Sequence, residues 1–174
     1  GTIELVRDHG IDVVSSGDLV QQFEAQWGEE GTRSHRVAAE KLYRIKDRAF
    51  ETVAQRIRDD VATNEYQIQQ LMWQWFQEEG LTSDAAPLVA AMANASDPHY
   101  TPSATSSRAI GRNELLLLDL WGKLTTPGAV FADISWVGFT GASVPGEMTR
   151  VFETARDARD AAVRLVQDAA AAGR

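Results

Sequence analysis

Cysteine is absent from the 174-residue chain, which excludes a disulfide framework, a thiolate zinc site, an iron–sulfur cluster and a cysteine nucleophile. No apolar run approaches the roughly 18 residues that a membrane helix needs. With 24% of the residues charged, neither a spanning segment nor a lipid anchor is expected. Basic residues are outnumbered, 17 against 25 acidic ones, for a formal charge of −8. Affinity for nucleic acid comes from clustered Lys and Arg; no such cluster exists here, so cations are the better-matched partners. A Gly-rich phosphate loop, a His-Glu-x-x-His pair, a Gly-x-Ser-x-Gly elbow and internal repeats are all missing. No secretory pattern opens the chain, and a cytoplasmic location is expected.

What is present suits an ordinary soluble domain, with 44% hydrophobic residues and a mean hydropathy of −0.28. The chain starts with Gly1 rather than Met and stops in an Ala-rich run, so it is expected to be a fragment. Residues 11–16 carry the β-branched run of a short strand. Ser16-Gly17-Asp18 then caps a helix bearing Leu19, Val20, Phe23 and Trp27. Residues 1–30 are expected to end a preceding domain and connect it to a main domain over residues 31–174, with residues 28–34 a charged linker. Ala38, Leu42, Ile45, Ala49, Val53 and Ile57 recur at three- and four-residue steps, the stripe of an amphipathic helix.

Thr63 or Asn64 caps a second helix, whose buried face is Ile68, Leu71, Met72, Trp75 and Phe76 and whose end is Gly80. Trp73 falls off that stripe, and the aromatic cluster reads as core. Residues 87–92 read as a strand, residues 94–112 as a long polar loop beside the site. The apolar run Leu115 to Leu118 suits a strand buried on both faces, and residues 130–139 a second strand, with Thr125-Thr126-Pro127-Gly128 as the turn. From Pro145-Gly146 onward, Val151, Ala155, Ala158, Ala162, Leu165, Val166 and Ala169 mark a third long helix. The expected fold class is α+β, an antiparallel sheet with a central hairpin covered by long helices.

Each hairpin strand carries one aspartate, Asp119 and Asp133. A register symmetric about Thr126 pairs them directly on one face, about 4.5–5.5 Å apart at Cβ. Two facing carboxylates in an apolar sheet are destabilising unless a proton or a divalent cation lies between them. Oxygen donors suit Mn²⁺, Mg²⁺, Co²⁺ or Zn²⁺, and an aspartate pair can hold two metals about 3.5–4 Å apart. Strand-end aspartates can equally mark where a sheet meets water, and a slip of one residue sends one of the two to the other face. Of the three histidines, His9 and His35 read as surface; His99 sits in a segment stiffened by Pro98 and Pro102.

Several motifs together resemble the pita-bread metallopeptidases, which include Xaa-Pro aminopeptidase, Xaa-Pro dipeptidase, methionine aminopeptidase and creatinase. They are Glu65-Tyr66 and its helix, Asn94 with Pro98-His99-Tyr100, Leu118-Asp119-Leu-Trp-Gly-Lys, Phe131-Ala-Asp133-Ile-Ser-Trp-Val-Gly-Phe, and the Ala-Arg-Asp-Ala core of the last helix. The resemblance covers about residues 34–172 and implies the N-terminal half of a pita-bread catalytic domain. It implies Asp119 and Asp133 as metal ligands and His99 as a substrate contact. It further implies two divalent ions, Mn²⁺ first with Co²⁺ or Zn²⁺ as alternatives, and a peptide substrate with proline at its second position. The gap between the two aspartates is longer here than the family's, with the insertion in residues 125–129. The family completes its site with a His and two Glu from a second half beyond Arg174, so this chain alone is expected to bind metal weakly and to be inactive. A noncatalytic binding module, or a creatinase-like hydrolase or lyase acting on a small molecule, is the alternative. An apolar face left without its second half is expected to drive homodimerisation.

Overall fold

The computed structural model describes residues 1–173. Helices α1 (Thr2–Asp8) and α2 (Gly17–Glu24) precede the long α3 (Glu29–Arg58) and α4 (Glu65–Glu78). Strands β1 (Leu81–Thr82) and β2 (Leu88–Ala91) lead through a 3₁₀ turn, Met92–Ser96, to β3 (Leu115–Leu124), β4 (Ala132–Phe139) and α5 (Gly146–Ala171). The architecture is α+β with an antiparallel sheet, as expected. β3 is its centre, pairing with β1 and β2 along one edge and with β4 along the other.

Helices α3 and α4 cover one face of the sheet. Ala38, Leu42, Ile45, Ala49 and Val53 of α3 and Ile68, Met72, Trp75 and Phe76 of α4 are buried against Leu116, Leu118 and Leu120 of β3. Successive strand side chains point to opposite faces, so Leu115, Leu117, Asp119 and Trp121 turn the other way and are only half-buried. The four-leucine run is therefore buried on one face rather than two. Two glycines let the helices approach: a Cβ on Gly122 would lie 2.8 Å from Phe76, and one on Gly138 only 2.6 Å from Phe50. Both phenyl rings lie where a strand side chain would otherwise stand.

Three local expectations differ from the structure. Residues 11–16 form no strand, and α1, unanticipated, stands before them. The charged linker at 28–34 is instead the start of α3: Gly28 is an extended N-cap, and Glu29 and Glu30 occupy the first turn. Acidic side chains there favour the positive end of the helix dipole, and one interior glycine, Gly31, costs only about 1 kcal/mol relative to alanine. The last helix forms as expected, but α5 buries none of its residues. No described helix is long and apolar enough to cross a membrane.

Candidate metal centre

The hairpin turn determines how the two strand aspartates meet. Ala129 N–H donates to Thr126 O at 3.2 Å, and Gly128 has φ of 74°. Pro at the second position and a positive-φ glycine at the third make a type II turn. Residues 130 and 131 then leave the ladder for α3: Val130 N–H donates to Ser34 Oγ at 3.1 Å, and His35 Nδ1 lies 2.7 Å from Phe131 O. His35, read from sequence as surface, is half-buried and also packs against Trp27, with ring centroids 4.9 Å apart.

Pairing accordingly ends at Gly122↔Ala132, and the ladder runs Trp121↔Asp133 and Asp119↔Ser135. The expected Asp119↔Asp133 pairing is displaced by two residues. Because the side-chain period is two, this displacement leaves both carboxylates on one face. They are diagonal neighbours, a relation typically about 7–8 Å.

Ser135 Oγ donates to Asp119 Oδ1 at 2.5 Å, which orients that carboxylate. Asp133 is held above the ordinary carboxylate range, first by partial burial of its carboxyl and then by the negative charge of Asp119. That like-charge strain is what a cation between the two would relieve, and the all-oxygen donor set suits a hard or borderline ion. Beside Asp133, the Trp121 indole N–H donates to Asp84 Oδ1 at 2.5 Å. That bond, ahead of its other causes, lowers the Asp84 pKa. A cavity of about 400 Å³ opens next to the pair, lined by Ser135, Val137, Phe152, Arg156 and Arg159. Among the described residues, no group of three or more His, Cys, Asp or Glu side chains could enclose a metal.

His99 lies on the polar loop after the 3₁₀ turn and is exposed. Its backbone N–H donates to Asp97 Oδ1 at 2.9 Å, while its ring makes no hydrogen bond among the described residues. The structure thus brings Asp119 and Asp133 together and leaves the His99 ring free. The partners Ser135 and Trp121 were readable by alternation, each two residues from an aspartate. Asp84, and the fully buried Glu65, carry no local signal because their contacts come from distant segments.

Residues 38–174 match the profile of metallopeptidase family M24. No curated protein sequence matches the chain. Among solved structures, the X-Pro aminopeptidase from Thermotoga maritima MSB8 is similar, with a TM-score of 0.63 and 23% identity over 82% of this chain and 37% of that one. The described chain thus spans little more than a third of that protein, and the likeness is one of fold. With the profile running from the third turn of α3 through the hairpin and α5, the chain belongs to metallopeptidase family M24.

Proposed function

We propose that this chain forms part of a metal-dependent exopeptidase that hydrolyses Xaa-Pro peptide bonds in the cytoplasm, with Asp119 and Asp133 as metal ligands and His99 as a substrate contact. The observation that carries this reading is a same-face carboxylate pair on the β3–β4 hairpin of a family M24 member. Asp119, oriented by the Ser135 hydroxyl, and Asp133, raised in pKa first by desolvation and then by its neighbour's charge, offer oxygen ligands to Mn²⁺ or, failing that, Co²⁺ or Zn²⁺. When bound, such ions supply Lewis-acid polarisation of the scissile carbonyl and a more acidic water. The exposure of His99 on its loop supports the reading that its imidazole hydrogen-bonds the peptide. Two carboxylates leave most coordination positions to other groups, so the isolated chain binds metal weakly and does not turn over. The exposed stripe of α5 supports association of two copies; a monomer mass by light scattering at high micromolar concentration refutes that part.

The test is hydrolysis of a panel of Xaa-Pro peptides by the full-length protein, stripped with chelator and resupplied with each metal. Metal-restored cleavage before proline is expected. No cleavage with any metal moves the assignment to a noncatalytic module or to a creatinase-like enzyme acting on a small molecule. In the active protein, Asp119→Asn or Asp133→Asn abolishes turnover with the fold retained; substantial residual activity refutes the ligand assignment.

A further inference from the structure

Glu65, the first residue of α4, is wholly buried, at 0% exposure, and has no cationic partner among the described residues. The nearby Arg108 guanidinium pairs with Glu114 instead. Every contact Glu65 makes through its carboxylate is with a donor. Oε1 accepts Ala91 N–H at 2.6 Å and the Asn94 amide at 3.0 Å. Oε2 accepts Arg108 N–H at 2.7 Å, the Asn94 amide at 3.2 Å and the Tyr100 hydroxyl. The chain is also tied there by its backbone, with Glu65 N–H donating to Arg108 O at 3.1 Å and Tyr66 N–H to Ser107 Oγ at 3.0 Å.

Residues 91, 94, 100 and 108 thus converge on one carboxylate. They are the start, the middle and the end of the polar loop, and His99 lies inside the span. Leaving a charge buried without a counterion is costly unless hydrogen bonds replace its water. Here the acceptor capacity of a carboxylate is filled from four points on a segment that otherwise has little packing. A glutamine could not substitute, because one of its amide hydrogens would face either Ala91 N–H or Arg108 N–H.

We propose that Glu65 is a positioning residue whose carboxylate holds the 92–108 loop, and with it His99, against the end of β2, the strand that pairs with the Asp119 segment of β3. The catalytic side of this role rests on the reading of His99 as a substrate contact. Burial and the Glu65 carboxylate together push the Tyr100 phenol up to about 12, which gives the tether a spectroscopic handle one residue from His99.

The first test uses this chain and needs no activity. In Glu65→Gln, amides of residues 92–108 should exchange about tenfold faster while those of β3 and β4 stay unchanged, and the high-titrating tyrosine should disappear from an absorbance titration. Uniform acceleration across the chain, or none in the loop, overturns the proposal. If Glu65→Gln fails to fold, Tyr100→Phe removes one donor only and should loosen the same amides to a lesser degree; an unchanged loop again overturns it. The second test is a double-mutant cycle on kcat/KM in the full-length protein. Glu65→Gln should lower activity in the parent and add less than about twofold on a His99→Ala background, whereas additive losses refute action through His99. If the parent cleaves no Xaa-Pro peptide, the peptidase reading falls, and the exchange result alone decides whether Glu65 is the tether.

Discussion

Helices α3 and α5 are both long and amphipathic, at 30 and 26 residues, and their fates differ. α3 buries Ala38, Leu42, Ile45, Ala49 and Val53 against the sheet, whereas Leu165 of α5 is 71% exposed and Val151 is 65% exposed. The apolar spacing is equally clear in each. Periodicity defines which face a helix would bury, but burial requires a neighbour, and most helix stability in proteins comes from that packing. α3 has two strands and α4 beneath it; among the described residues α5 faces Leu115, Leu117 and Val137 of the open sheet face across a cavity and buries none of its own side chains.

The largest expected effect lies in the packed helix. Leu42→Ala should cost about 2–5 kcal/mol in denaturant unfolding, through lost transfer energy and the cavity left behind. Leu165→Ala should stay within about 0.5 kcal/mol of wild type; a comparable loss at both positions would erase the contrast between the helices. Next comes the closer of the two glycine approaches. Gly138→Ala drives a Cβ into Phe50 and should cost about 1–3 kcal/mol by overpacking, with partial rescue by Phe50→Leu if the ring is the obstacle.

Ser34→Ala removes the acceptor for Val130 N–H and the donor to Gly31 O at 2.8 Å, an expected loss of about 1–2 kcal/mol. It should also raise hydrogen exchange at residues 129–131 if α3 sets the hairpin's departure from the ladder. The smallest effect has the opposite sign. Because Asp133 titrates above the ordinary carboxylate range in the fold, the native state binds its proton more tightly than the unfolded chain does. Stability therefore falls as pH rises from the ordinary aspartate value through the raised one. Asp133→Asn should stabilise the chain slightly at neutral pH, the gain being small because the exposed carboxylate is screened by solvent, and leave it unchanged below that window, as read from melting at pH 3 and pH 7. Equal stability at both pH values would show that the two carboxylates do not sense each other.

Much of the fold was legible because its signals are local. Asn64 caps α4 through its side chain, which accepts Gln67 N–H at 2.8 Å, and the apolar stripes of α3 and α4 are buried except at Ile57 and Leu71, which are half-buried. The aspartates share a face as alternation requires, although their register differs by two. That difference was not legible, since it depends on Ser34 and His35, 96 residues away from the partners they hold. The β-branched run at 11–16 shows the converse failure: strand propensity without a pairing edge leaves no strand.

By itself, then, the amino-acid order determined the apolar stripes of α3, α4 and α5, the central hairpin and the placing of Asp119 and Asp133 on one side of it, because the 3.6- and 2-residue periods are properties of the backbone. Only the tertiary structure decided the ladder register, the burial of α3 but not α5, and the convergence of the polar loop on Glu65. These depend on which distant groups come within hydrogen-bonding or packing distance, and no spacing along a single chain encodes that directly.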